Sequence, residues 1–290
     1  MIRGRNKYFL TALLLSVACI WGISFVVMKD TLRRLDVNSF LAWRFLIAAL
    51  VMIILKPSTL KKIHMNFLRK GVVLGILLGG GYIFQTFGLT LTTVAKTGFI
   101  TGLYAVFTPL IAAGLFRRKV KAIQWISVTL AGFGLAFLSL NGLSIGLGEL
   151  LVLLSALLYA GHIVGLSEWS STLDTYALTV LQLGVVGLLC LIASMKSGFH
   201  LPPDRGVWEA IIFTAVFASA FAFIVQTWVQ SFMPATTVGV ILTMEYIFAA
   251  MFGIIFGHES LTVRIAVGGS MVIAALYLII WDEGRERVAL

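Results

Sequence analysis

The sequence predicts an all-α integral membrane protein of ten transmembrane helices, arranged as two inverted five-helix repeats. Three observations carry that expectation. Ten apolar stretches of about twenty residues fill the chain, with only short polar breaks between them. Five stretches fall in each half, and an odd number per half obliges the second copy to enter the membrane from the opposite side. The Lys and Arg residues gather in alternate breaks.

A helix rising ~1.5 Å per residue needs ~20 apolar residues to cross a ~30 Å hydrocarbon core. Ten crossings therefore use most of the 290 residues and leave little chain for a soluble domain. Charged residues make up only 12% and mean hydropathy is +1.02, against about 25% charged residues in ordinary globular domains, so lipid is the solvent.

The first span, 8–28, follows a basic start and carries Trp21-Gly22. It resembles a signal peptide, and Ser16-Val17-Ala18-Cys19 weakly resembles a lipidation site, but the apolar run is too long for an ordinary signal peptide and retention is expected. The second, 38–55, holds Arg44 about six residues in, roughly 9 Å deep. The third, 70–90, presents Gly75, Gly79, Tyr82 and Thr86 at nearly helical steps, continued by Thr93, with Gln85 alongside. The fourth, 95–116, aligns Thr97, Thr101, Tyr104 and Thr108 on one face and contains Pro109, whose missing N–H and bulky ring bend a helix and free a carbonyl. The fifth is 122–140. The sixth, 147–166, offers Ser155, Tyr159 and His162; the seventh is 175–195. The eighth, 207–229, offers Ser219 and Gln226, with Gln230 just beyond it. The ninth, 236–256, offers Thr236, Gly239, Thr243, Glu245 and Tyr246, and the tenth is 262–281.

The net charge of +10 raises the question of nucleic acid, but the basic residues sit in short loops and follow the positive-inside pattern, so no nucleic-acid partner is expected. With the N-terminus inside, Arg3, Arg5, Lys7, Lys56, Lys61, Lys62, Arg69, Lys70, Arg117, Arg118, Lys119, Lys121, Arg285 and Arg287 are cytoplasmic, most of the 22. The expectation is a cell-membrane protein with both termini cytoplasmic. Cys19 and Cys190 fall inside apolar spans, so no disulfide is expected.

The halves also agree in detail. Leu15-Ser16 and Gly22 recur as Leu154-Ser155 and Gly161, Leu35-Asp36 as Leu173-Asp174, and Gln85-Thr86 as Gln226-Thr227. The expected division is 1–143 and 144–290. At this point the chain resembles the drug/metabolite transporter superfamily, specifically its EamA-type ten-helix members. The residues that carry the resemblance are Trp21-Gly22-Ile23-Ser24-Phe25, Trp43-Arg44-Phe45, Ala95 through Phe107-Thr108-Pro109, and Ala235 through Glu245 leading into Gly257-His258-Glu259-Ser260-Leu261. Two positions depart: Phe116-Arg117-Arg118 stands where the family often has Gly-Glu, and Ala250 matches Pro109. The resemblance implies passage of small polar metabolites such as amino acids, their derivatives or drugs, and a cavity lined by spans one, three, four, six, eight and nine.

Polar side chains are costly in hydrocarbon and turn toward other helices or a wet cavity. Candidate cavity residues are Trp21, Arg44, Tyr82, Gln85, Thr97, Thr101, Tyr104, Tyr159, His162, Gln226, Gln230, Glu245 and Tyr246, with Pro109 as a hinge. The Gly and Thr stripes read first as close helix packing. Arg44 either snorkels to the interface or receives a carboxylate or phosphate. Glu245 lies near the midplane, roughly 14 Å from either end. An ionised carboxylate there costs a few kcal/mol even on the lenient insertion scale. It binds a substrate amine or the driving proton, or it is a structural carboxyl; Glu245 and His162 are the coupling candidates. Lys96, Glu149, His258 and Glu259 read as helix-end groups.

No phosphate-binding Gly-x-x-x-x-Gly-Lys-Ser/Thr loop is present, so energy comes from gradients or exchange. His258-Glu259 lacks the second His of a zinc-protease motif, since Thr262 stands there, and Ser167 after Gly165 lacks the following Gly of a nucleophile elbow. No metal, cofactor or catalytic residue is expected. The leading reading is a secondary transporter working by alternating access, an exporter, functional as a monomer in membrane lipid and using protons as coupling ion. The alternative is a membrane-embedded binding or sensor protein that does not transport.

Overall fold

The computed structural model describes residues 7–92, 94–139, 146–257 and 262–285. The His258-Glu259-Ser260-Leu261 run, Thr93, Arg3, Arg5, Arg287 and the side chain of Lys96 lie outside the described residues. Among those described, regular structure is helical throughout: α1 (Lys7–Arg34), α2 (Val37–Leu55), α3 (Met65–Leu91), α4 (Val94–Gly102), α5 (Tyr104–Phe116), α6 (Ala122–Ser139), α7 (Leu147–Trp169), α8 (Thr175–Ser194), α9 (Arg205–Ala215), α10 (Ala222–Gln230), α11 (Ala235–Leu242), α12 (Met244–Gly257) and α13 (Val263–Arg285). A 3₁₀ turn (Pro57–Lys62) follows α2, and a π-helical segment (Val216–Phe221) joins α9 to α10.

Seven helical stretches are long and apolar enough to cross a membrane, so the protein is a multi-pass membrane protein. Shorter apolar helices, 100–116, 122–134 and 266–282, lie where the other three spans are expected. The helix starts follow from local chemistry. Asp36, Asp174 and Asp204 each stand at an N-cap and accept the N–H of Ser39, Ala177 and Val207 at 3.1, 2.9 and 3.0 Å, satisfying donors that the first turn leaves open. The recurrent Leu-Asp pair is thus a repeated helix start. Glu149 is a helix-end group as expected, accepting from the Gly146 N–H at 2.9 Å and the Thr92 hydroxyl at 2.7 Å.

The most extensive helix pairs are α3 with α7, α6 with α13, α2 with α8, α3 with α8 and α1 with α12. Each joins a helix from before residue 143 to one after 144, so the two halves interlock. Between such apolar surfaces in lipid, close van der Waals fit replaces the hydrophobic effect as the attractive force. The glycine stripe of α3 serves this fit: a Cβ on Gly75 would lie 2.5 Å from Val185 Cβ on α8. Gly75→Val should therefore lower the apparent melting temperature in detergent, costing about 1–3 kcal/mol of overpacking. An unshifted thermal unfolding curve would show that α3 and α8 separate there freely.

Two spans are broken at their middles. The turn at Leu103 separates α4 from α5, and the turn at Thr243 separates α11 from α12. Pro109, expected as a hinge of the fourth span, lies inside α5 six residues past the turn, and Ala250 holds its place beyond the second turn. Proline therefore does not make the break common to both. At the second turn the Thr243 hydroxyl bonds the Val240 carbonyl at 2.6 Å, a local bond that competes with the helix ladder.

Candidate functional site

Where these interrupted helices meet, a cavity of about 60 Å³ opens in the protein interior. That is room for a few water molecules. Ten of the thirteen side chains picked from the sequence line it: Trp21, Arg44, Tyr82, Gln85, Thr101, Tyr104, Tyr159, His162, Gln226 and Glu245. The other three lie elsewhere. Thr97 is fully buried on α4, two helical turns from Tyr104. The Tyr246 ring packs against Gly98, since α12 turns it toward α4. Gln230, one turn beyond Gln226 on α10, lines a second, larger space.

Arg44 does not snorkel. It is 1% exposed, and its Nε donates to Ser219 Oγ at 2.7 Å while Nη2 donates to the Ala218 carbonyl at 3.1 Å. Its remaining contacts are the Tyr82 hydroxyl at 3.5 Å, Met28 Sδ at 3.4 Å, and the faces of Phe45 and Tyr82, each 5.1 Å from Cζ. All of these partners are neutral. The π-helical segment makes them available: Ala222 N–H reaches back five residues to the Phe217 carbonyl, and the widened turn leaves the Ala218 carbonyl facing Arg44 and Trp21. Trp21 Nε1 donates to that same oxygen at 2.8 Å. Single π-turns of this kind recur at functional sites because they turn backbone groups out of the ladder.

Glu245, 9% exposed at the start of α12, lines the same cavity. Among the described residues its carboxyl has no hydrogen-bond or ion-pair partner. Arg44 and Glu245 thus share one cavity without touching. Gly22 brings α1 against this point, since a Cβ on it would lie 2.9 Å from the Glu245 carbonyl oxygen and 2.8 Å from Phe248 Cβ.

The other polar groups form short chains. Tyr159 OH donates to Gln85 Oε1 at 3.1 Å, and Gln85 Nε2 donates to Thr101 Oγ1 at 3.0 Å. His162 Nε2 meets Gln182 Oε1 at 2.8 Å, and Gln182 Nε2 donates to Thr227 Oγ1 at 3.1 Å. Two polar atoms of the lining, Tyr104 OH and Gln226 Oε1, are buried without a hydrogen-bond partner. Such groups are costly to leave unmet, so they suit a ligand or water. The sequence reading missed the apolar part of the lining, including Phe25, Met28, Leu78 and Phe223, because those side chains look like any lipid-facing residue. Phe223 is central to it, with ring centroids 5.4 Å from Trp21 and 6.2 Å from Tyr82. Gln182 and Thr227 were also missed, although the rule that picked Gln226 applies to a buried amide in the seventh span.

A wider space of about 790 Å³ lies at the end of the bundle where α1 starts and α13 finishes, bordered by Lys7, Arg118, Lys121, Glu168, Gln230 and Asp282. Lys7 Nζ donates to the Ile280 carbonyl at 3.2 Å, which ties the start of α1 to the last turns of α13. One polar layer separates this vestibule from the central cavity: Gln226 Nε2 donates to Gln230 Oε1 at 2.9 Å, and Gln230 Nε2 donates to the Ile163 carbonyl and Ser167 Oγ at 2.8 and 2.7 Å. The far face is tied instead by Arg34 with Asp204 at 2.6 Å and His200 with Asp36 at 3.1 Å.

A solved crystal structure superposes with a TM-score of 0.80 over 96% of this chain and 98% of the other, at 14% identity, which shows a shared fold. An uncharacterized transporter of Archaeoglobus fulgidus is 30% identical over 91% of this chain and 83% of its own length. The uncharacterized transporter YoaV of Bacillus subtilis is 24% identical over 95% of this chain and 98% of its own length. The WAT1-related protein At4g08290 of Arabidopsis thaliana is 24% identical over 91% and 80%. The sequence profile of the EamA-like transporter family matches residues 9–140 and again 146–281. The chain, with its central cavity set among membrane-length helices, belongs to the EamA-like transporter family, a family of membrane transporters and not of enzymes.

Proposed function

We propose that the protein is a secondary transporter that exports small polar metabolites across the cytoplasmic membrane by alternating access of its central cavity. The carrying observation is the symmetry of that cavity. An offset of 141 residues, the one that carries Gln85-Thr86 onto Gln226-Thr227, pairs Tyr82 with Phe223, Gln85 with Gln226, Thr101 with Leu242 and Tyr104 with Glu245. All eight line one space, as expected if two five-helix repeats, 1–143 and 144–290, run through the membrane in opposite directions about an axis through the site. The twofold family match supports the same division. Ten crossings place both termini on one face, and the basic loops make it the cytoplasmic one.

The vestibule on that face and the ties on the far face fit an inward-facing state closed at its centre by the Gln226-Gln230 layer. Substrates bearing an ammonium group suit the unpaired Glu245 carboxylate and the aromatic walls of Trp21, Tyr82, Tyr159 and Phe223. Protons are the coupling ion, with Glu245 exchanging proton for substrate and His162 as the second candidate. Each chain holds both halves of the site, so a monomer suffices.

Purified protein in liposomes tests the proposal with labelled amines, amino acids and nucleobases. The expected result is saturable, gradient-dependent flux of an ammonium-bearing compound, accompanied by proton counterflow. Saturable binding without flux would overturn transport in favour of a sensor.

A further inference from the structure

Asp36 and Asp174 hold the same place in the two halves, and each is met by a basic residue from the other half. Asp36 caps α2 with one oxygen and meets His200 Nδ1 at 3.1 Å with the other. Asp174 caps α8 with one oxygen and takes Lys62 Nζ on the other. His200 lies in the loop after α8, and Lys62 ends the 3₁₀ turn after α2. One offset of 138 residues carries Asp36 onto Asp174 and Lys62 onto His200. The two pairs therefore exchange places when the halves do, one at each end of the packed α2 and α8. They differ in one respect. The pair on the face of the chain ends uses a permanent cation, whereas the far-face pair uses an imidazole, whose charge changes between about pH 5 and 8.

The geometry points to the His200–Asp36 pair as a proton-operated clamp: a proton on His200 holds the 195–204 loop against the turn between α1 and α2 and keeps the far mouth of the cavity shut, and its loss releases that mouth. The loop is docked for this purpose. His200 N–H donates to Ser39 Oγ at 3.0 Å, its carbonyl accepts Trp43 Nε1 at 3.1 Å, and Trp43 stacks on Phe199 with centroids 5.0 Å apart. The His200 side chain is 57% exposed, so its proton exchanges with the solution on that side.

Burial alone would push the Asp36 carboxyl up, but hydrogen bonds from Ser39 and His200 and the charge of His200 outweigh it and hold it below the usual carboxylate range. A carboxylate lowered in this way keeps its charge until pH falls through that lowered value, so the imidazole is the switching partner of the pair. The pair is complete at acid pH and weakens as pH rises. The nearby charges do not duplicate this: Arg34 pairs with Asp204, Arg205 pairs with Glu209, and Arg33 and Lys196 are exposed permanent cations. At the opposite pair, Asp174 is pushed up by burial and brought down further by Lys62, the Ala177 N–H and Lys56. The neighbouring His64 meets the Lys62 carbonyl there, and not Asp174.

The consequence for transport rests on the alternating-access reading, so the test reads access and not flux. Ser24→Cys, in a chain with Cys19→Ser and Cys190→Ser, places a thiol in the central cavity. A membrane-impermeant maleimide is then applied from the far face of oriented proteoliposomes at pH 5.5 and 8, with every rate divided by that of His200→Lys at the same pH to cancel the thiol's own ionisation. The rate ratio should rise about two- to five-fold with pH, the scale of one exposed ion pair. His200→Gln should label fast at both values, and Lys62→His should move the dependence to reagent and buffer on the face of the chain ends. An equal pH slope in wild type and His200→Lys would overturn the clamp. Labelling that follows the pattern in a protein without flux would leave the clamp standing and overturn the transporter reading alone.

Discussion

Glu245→Gln should reduce kcat/KM for transport by about 100-fold or more and, in a His200→Lys background, remove its remaining dependence on pH, while the protein remains folded and monodisperse. The size follows from the environment. A charge partner lost in a desolvated site costs roughly 2–5 kcal/mol, and Glu245 is buried, faces the cavity, and has no partner among the described residues to share the loss. The amide keeps the shape and the hydrogen-bonding capacity, so what disappears is the negative charge and the exchangeable proton. Glu245→Asp should recover part of the rate, since it restores the charge about one carbon short of its place. Proteoliposome flux measured at several pH values decides the matter. A Gln variant that transports like the wild type at all of them removes Glu245 from both substrate binding and coupling.

Arg44→Lys should lower transport about 10- to 100-fold with the fold retained, even though the charge is conserved. The guanidinium reaches Ser219 Oγ from Nε and the Ala218 carbonyl and Tyr82 hydroxyl from Nη2, and it stacks on two aromatic rings. An ammonium presents its donors from one point and cannot make that fork. The bonds tie the second span to the eighth across the two halves, each worth at most about 1–2 kcal/mol within a membrane, so loosening them alters the equilibrium between states more than it unfolds the chain. Size-exclusion behaviour and initial rates on the same preparation check both parts. Wild-type rates for the Lys variant would show that a positive charge alone is enough.

Much of the architecture was legible because lipid imposes one severe rule: a chain crossing it must be helical and apolar. The spans 175–195 and 38–55 end within one residue of α8 and α2 for that reason. The interruptions were not legible from that rule. Pro109 drew attention to the fourth span, yet the turn at Leu103 has a counterpart at Thr243 where no proline stands, and the π-turn at Val216–Phe221 has no marker beyond a run of small residues. These depend on how neighbouring helices press against the backbone. The candidate site was read from the cost of burying polar groups, which picked out Tyr82, Gln85, Tyr159, His162, Gln226 and Glu245 as lining residues. The same cost did not distinguish a cavity from close packing, and so Thr97 and Tyr246 were included with them, nor one cavity from another, and so Gln230 of the vestibule was included too.

The sequence by itself determined the solvent, the helical spans and which side chains are too polar to face lipid, because these are properties of single segments set by hydropathy and periodicity. Only the tertiary structure decided that Arg44 rests on neutral partners, that Glu245 lines the same cavity with no partner among the described residues, and that Asp36 and Asp174 are held by reciprocal partners from the other half. Those facts depend on side chains more than a hundred residues apart meeting at van der Waals distance, and the interlocking of the two halves sets that distance.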